Sequence, residues 1–205
     1  MKKNKVSKNW INRQRKDIFV RKSKIEGYRS RAVYKLEEIN RKFKIFKNQS
    51  SVLDLGAAPG SWSQYIVKNF KNAKLVSIDL KKFDSIKNVF QITGDFTEEV
   101  YKQKILKFFN SKIDIVISDM AANTTGNKNL DSYRTGELCL KAMDLALKIL
   151  NQEGVFLSKL FMGPTFKEID EKANKSFKKV IRYKPSPSRQ ESKEIYIYCK
   201  GISKV

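Results

Sequence analysis

Two charged residues close strand-like apolar runs, and together they suggest proton-transfer chemistry. Ile113-Asp114-Ile115-Val116-Ile117-Ser118-Asp119-Met120 puts Asp119 at the carboxyl end of one run. Val155-Phe156-Leu157-Ser158-Lys159-Leu160-Phe161 puts Lys159 near the end of another. A lysine inside an apolar run is costly unless it is paired. Partial burial beside a second cation favours the neutral amine, which can act as a base. The plainer reading of Lys159 is a side chain that snorkels out from a strand end. The 205 residues include no histidine. That excludes Ser-His triads, a histidine base and ordinary zinc sites, and leaves proton transfer to Lys, Asp, Glu or Tyr.

A second stretch suggests a nucleotide-like ligand. Ser51–Leu55 reads as a short buried strand and Ser61–Phe70 as a helix, with Gly56-Ala57-Ala58-Pro59-Gly60 as a tight turn between them. Gly and Ala leave bare backbone for close approach, and the amides of the helix N-terminus face whatever binds there. Ala58 stands where the dinucleotide fingerprint would have its second glycine, which favours a ligand without phosphates. Asp79 ends the next strand, where an acid can hold ribose hydroxyls. The alternative is a turn that only joins strand to helix.

The elements that must position these groups follow from periodicity. Apolar residues at Val33, Leu36, Ile39, Phe43 and Phe46 predict a helix over 31–46, with Ser30 as its N-cap. Strands are predicted at 51–55, 74–79, 89–92, 113–118, 155–160, 178–182 and 195–199. Helices are predicted at 61–70, 97–109, 132–150 and 164–175. Such alternation means an α/β fold, a mostly parallel sheet with helices on both faces. Open parallel sheets bind ligands beyond the carboxyl ends of their strands. That rule selects the Gly56–Gly60 turn, Asp79, Gly94-Asp95-Phe96, Asp119 and Lys159. Pro185-Ser186-Pro187-Ser188 is a loop, and there is no internal repeat.

Composition narrows the partner. Residues 1–47 hold 17 Lys/Arg against 4 Asp/Glu, and residues 172–193 hold 8 against 1, out of a net charge of +22. The remainder of the chain is close to neutral, so the charge sits in two blocks, as a polyanion footprint requires. An anionic membrane is the rival, but neither block is an amphipathic helix with an aromatic face. A Lys-rich composition from an AT-rich genome is the non-functional explanation. Residues 1–30 carry Trp10, Ile11, Ile18, Phe19, Val20 and Tyr28 among their charges, so a basic N-terminal extension packs on the core through short helices. The remaining residues, 31–205, form the main domain. No apolar run is long enough to cross a membrane, and the start lacks the apolar region of a secretory signal. Cys139 and Cys199 lie in apolar segments without ligand spacing and read as reduced core residues.

Asp54-Leu55-Gly56-Ala57-Ala58-Pro59-Gly60-Ser61-Trp62-Ser63-Gln64 resembles the FtsJ/RrmJ family of S-adenosylmethionine (SAM) dependent RNA ribose 2′-O-methyltransferases. The likeness runs from about Trp10 to Gly201. It implies a Rossmann-like methyltransferase fold and a Lys-Asp-Lys-Glu tetrad around the target ribose. The matching residues are Lys35 (in Arg31-Ala32-Val33-Tyr34-Lys35-Leu36), Asp119, Lys159 and Glu194 (in Ser192-Lys193-Glu194-Ile195-Tyr196-Ile197). Lys159 would be the base, with the other three orienting it and the hydroxyl. For SAM, the resemblance assigns Gly56, Ala57, Ala58, Pro59, Gly60 and Trp62 to the methionine end, Asp79 to the ribose, and Asp95 with Phe96 to adenine. Asp119 borders both sites. No metal is implied. The chain departs from the family's Asp-Met-Ala-Pro-Asn at Asp119-Met120-Ala121-Ala122-Asn123, where the lost proline frees the loop.

The implied function is methylation of large-subunit ribosomal RNA by a monomer, with rRNA or the large ribosomal subunit as partner. The implied place is the cytoplasm, with a mitochondrial or other organellar matrix as the alternative. Rivals are a cap-specific mRNA 2′-O-methyltransferase, a small-molecule methyltransferase, and an RNA-binding ribosome-assembly factor without activity.

Overall fold

A computed structural model of the chain describes residues 17–122 and 125–203. Trp10, Ile11 and the rest of residues 1–16 of the expected extension lie outside the described residues, as do Asn123 and Thr124 of the loop after Asp119. Helix α1 spans Ile18–Ile25, and Asp17 caps it by accepting the Phe19 N–H. Helix α2, Val33–Phe43, buries Val33, Tyr34, Leu36 and Ile39 and ends at Lys44, whose φ of 52° is left-handed. Its start differs from the expectation. Ser30 bonds the Ser61 hydroxyl and accepts the Ala32 N–H, while the helix begins after Ala32 without a side-chain cap.

The order then runs β1 Ser51–Leu55, α3 Ser61–Asn69, β2 Lys74–Asp79, β3 Val89–Thr93, α4 Glu99–Phe109 and β4 Ile113–Ser118. It continues with α5 Lys128–Ile149, β5 Leu150–Phe161, α6 Phe166–Ser176, β6 Phe177–Tyr183 and β7 Glu194–Ile202. Helix α5 starts four residues before its expected 132, because the Asn127 side chain caps it by accepting the Asn129 and Leu130 amides.

One seven-stranded sheet holds the strands in the order β3-β2-β1-β4-β5-β7-β6. β7 alone runs against its neighbours, pairing antiparallel with both β5 and β6. Period-two alternation sends side chains to two faces. Leu53, Val76, Val116, Phe156 and Ile197 pack with Ile105, Met143 and Ile169 of α4, α5 and α6. Val52, Leu75, Ile117, Leu157, Tyr196 and Tyr198 pack with Leu36, Ile39, Trp62 and Ile66 of α2 and α3. The expected three-layer arrangement, mostly parallel with helices on both faces, is what forms.

The reversal of β7 matters for the site. The first residue of an antiparallel strand lies at the edge where parallel strands end. Glu194 opposite Phe161 therefore reaches the same edge as Asp119 and Lys159.

Candidate active site

β4 and β5 are parallel neighbours with Ser118 opposite Ser158, so Asp119 and Lys159 emerge side by side. Lys159 Nζ lies 3.0 Å from Asp119 Oδ1 and also donates to the Asp119 backbone oxygen at 2.5 Å. Lys35, from α2, places Nζ 2.7 Å from Glu194 Oε1. All four side chains are at least four-fifths buried. The resemblance had grouped these residues from four distant segments, and the fold brings them together as two ion pairs.

Tyr196 joins the pairs. Its hydroxyl donates to Asp119 Oδ1 at 2.6 Å, and Lys35 Nζ lies 5.8 Å from its ring centre. The Ser188 hydroxyl donates to Glu194 Oε1 at 2.7 Å. Burial alone would raise the Asp119 carboxyl, but the Lys159 and Lys35 charges and the Tyr196 bond outweigh it and hold Asp119 below the usual carboxylate range. The Tyr196 hydroxyl goes the other way, pushed well above its ordinary value by burial and then by Asp119 and Glu194. Sequence reading had missed Tyr196 and Ser188 as site residues. Tyr196 follows Glu194 by two on a strand, which puts both on one face, so the signal was present.

Beside Asp119 a cavity of about 320 Å³ opens along the carboxyl edge. Gly56, Ala58, Asp79, Asp95, Phe96 and Asp119 line it. Ala57, Pro59, Gly60 and Trp62 do not. The Trp62 indole N–H donates to Ala32 O at 2.9 Å, and the ring packs 6.0 Å from Tyr196. The turn is held on both sides. Gly56 and Ala57 amides donate to Ile78 O. The Arg29 guanidinium donates to Pro59 O at 3.0 Å and to Asp84 O at 2.7 Å, fastening the turn to the loop after β2. Gly56 has φ +72°, and a Cβ there would come 2.2 Å from Met120 Cγ, so close passage of the chain after β4 requires glycine.

The cavity's acids suit a nucleoside. Asp79 accepts the Ala58 amide on Oδ2 at 2.9 Å and the Lys81 amide on Oδ1 at 2.8 Å. Each oxygen keeps a further lone pair for a ribose hydroxyl. Asp95 Oδ1 takes both the Thr97 amide and hydroxyl at 2.8 Å, and no bond among the described residues uses Oδ2, which leaves an acceptor for an exocyclic amine. Among the described residues no group of three or more His, Cys, Asp or Glu could hold a metal ion. Ala122, where the family has proline, donates its amide to Thr135 Oγ1 at 3.2 Å, a bond a proline could not make. The loop that the lost proline was expected to free is tied to α5 there.

Residues 28–202 match the model of the FtsJ-like methyltransferase family. The chain belongs to that family. It is a methyltransferase. It is 56% identical over 200 residues to ribosomal RNA large subunit methyltransferase E of Pelagibacter ubique, covering 98% of each chain. It is 46% identical to the protein of that name from Rickettsia bellii, over 93% of this chain and 87% of the relative. Among solved structures it resembles a Plasmodium falciparum protein described as a ribosomal RNA methyltransferase. There the TM-score is 0.76 at 32% identity, covering 85% of this chain and 98% of that one.

Proposed function

We propose that the protein methylates the 2′-hydroxyl of one ribose in large-subunit ribosomal RNA, with SAM as donor and Lys35, Asp119, Lys159 and Glu194 as the catalytic tetrad. The observation that carries this reading is the pair of ion pairs at the lip of a cavity whose acids fit a nucleoside. The names of the relatives supply the RNA, and the two basic blocks agree with a polyanionic substrate.

SAM, when bound, supplies a methyl group on a sulfonium. Asp79 would hold its ribose, Asp95 and Phe96 its adenine, and the turn from Gly56 to Gly60, backed by Trp62, its methionine end. The electrophile is already strong, so catalysis is mainly in-line positioning plus removal of one proton. Glu194 and Lys35 orient the target ribose. Lys159, steered by both oxygens it contacts on Asp119, would act as the neutral amine, after giving up its own proton to solvent, and would take the 2′ proton on Nζ when the methyl group is transferred. Residues 1–30 serve as a basic extension on the methyltransferase domain 31–205. We place the monomer where large subunits are assembled, the cytoplasm in a bacterial cell.

The test is transfer of labelled methyl from SAM to large ribosomal subunits isolated from cells lacking this protein, followed by mapping of 2′-O-methyl sites. One methylated ribose in the large-subunit RNA is expected. Label on a base, on mRNA caps alone, or on nothing overturns the reading.

A further inference from the structure

A second cavity, of about 450 Å³, opens at the edge of the sheet opposite the tetrad. Lys44 and Lys47, from the loop after α2, and Lys200, near the end of β7, bring three ammonium groups to it. No ion pair or hydrogen bond among the described residues uses the Lys44 or Lys47 ammonium. The facing acids are Asp114 and Glu153. Asp114 takes the Asn151 amide on Oδ1 and the Ser51 amide and hydroxyl on Oδ2. Glu153 pairs with Lys178 at 2.8 Å, and that bond, with Lys200 adding to it, holds its carboxyl below the usual range. Tyr198 lines the cavity as well. It is 4% exposed and stacks on Phe43 at 4.5 Å, yet no bond among the described residues uses its hydroxyl. The cavity thus holds cations in excess and a phenolic donor in reserve.

We propose that this cavity is a second phosphate site, taking the backbone of the RNA substrate at the far end of β7 from the tetrad. The inference rests on the RNA reading above. Glu194 opens β7 and Lys200 lies six residues on, so the two sites are about 20 Å apart. Lysines bind phosphate as point charges, and a neutral hydroxyl adds direction. Helix α2 makes an RNA phosphate the better occupant than a free one. Its first turn carries Lys35 to the tetrad, Lys44 caps its end at the cavity, and Arg41 and Lys42 are exposed in its last turn. The acids on this helix are Glu37 and Glu38, and Glu38 is committed to Tyr183 and Ser186.

The bland alternative is a solvent-filled cleft whose lysines only keep the chain soluble. Tyr198→Phe separates the two, because it changes no charge and removes no bond among the described residues. The phosphate site requires RNA binding to weaken roughly tenfold, the loss of one bond to a charged acceptor. KM should rise with it while kcat at saturating RNA stays unchanged, since the reacting atoms are distant. A cleft requires wild-type binding. The triple variant Lys44→Gln/Lys47→Gln/Lys200→Gln should lower the slope of log affinity against log salt by about 0.7–0.9, the loss of one phosphate contact. Lys104→Gln/Lys107→Gln/Lys141→Gln removes the same charge from α4 and α5 on the other face and should leave the slope unchanged. The measurements are filter binding of labelled large-subunit rRNA from about 50 to 300 mM KCl, and methyl transfer to large subunits from cells lacking this protein. Native melting curves serve as the fold control. Inorganic phosphate, titrated by calorimetry at constant ionic strength, should bind no more tightly than about 1 mM. Tighter binding that RNA does not displace assigns the cavity to a free anion and overturns the proposal. Wild-type binding by Tyr198→Phe, or an equal slope change in both triple variants, overturns it too. A wild-type protein that methylates no rRNA overturns the functional reading instead, so the two failures are distinguishable.

Discussion

Replacing Asp54 with asparagine should change how stability depends on pH, and the size follows from its surroundings. Asp54 sits in β1 with 1% exposure. Its Oδ2 accepts the Ser63 hydroxyl at 2.6 Å, and Ser63 in turn bonds Ser77 at 2.6 Å. Burial, with Asp119 and Asp79 adding negative field, pushes the carboxyl up from the ordinary 3.8 to about 7 against the opposing Ser63 bond. The unfolded chain therefore releases this proton near pH 4, while the folded chain keeps it until about pH 7. Over that window the native state binds more protons, so stability falls as pH rises and levels off above 7. A shift of that size is worth up to about 4 kcal/mol, at roughly 1.4 kcal/mol per unit. Asparagine has the same shape and no proton to lose, so its curve lacks this decline. Any fixed cost of its extra N–H donors is the same at every pH and cancels in the slope. Urea unfolding of both proteins at a series of pH values gives the difference directly. The variant should gain on wild type by a few kcal/mol between about pH 4 and 8. Two curves that stay parallel would falsify the account of a buried, proton-retaining carboxyl.

Other substitutions test the site itself. Asp79→Ala should reduce SAM affinity about 10- to 150-fold by removing a charged acceptor, and an unchanged calorimetric dissociation constant for folded protein would sink the assignment. Lys159→Arg should lose nearly as much single-turnover methylation as Lys159→Ala, because a guanidinium stays protonated and cannot accept the 2′ proton. Activity within a few-fold of wild type would leave Lys159 a positioning role only. Gly56→Ala should cost about 1–3 kcal/mol of stability through overpacking against Met120 and should weaken SAM binding with it. A melting curve matching wild type would mean that Met120 gives way and that the contact is loose.

Much of the fold was legible in the sequence because its signals are local. Strand β1, the glycine turn and helix α3 follow from residues 51–69 alone, and that turn together with Asp79, Asp95 and Asp119 after the later strands marks the ligand edge. Asp119 and Lys159 could be paired by the expectation that successive parallel strands lie side by side, and they do. Boundaries failed where a side chain chose differently from the periodicity, as when Asn127 started α5 early and Ser30 bonded Ser61 instead of capping α2.

What only the tertiary structure decided concerns groups that meet across long stretches of chain. Read alone, Lys35 is a surface lysine and Glu194 an acid at a strand start, and the family resemblance was needed to join them. Their 2.7 Å contact exists because β7 is inserted between β5 and β6 and runs backwards, which carries its first residue to the edge where the other strands end. Strand direction is not written in any local pattern, since a strand reads alike from either end. The same reversal puts the Tyr196 hydroxyl on Asp119. The meeting of Asp17 with Arg31 and Arg189 likewise needs both ends of the described chain in place. Sequence named the chemical groups, and the packing of one reversed strand chose which of them touch.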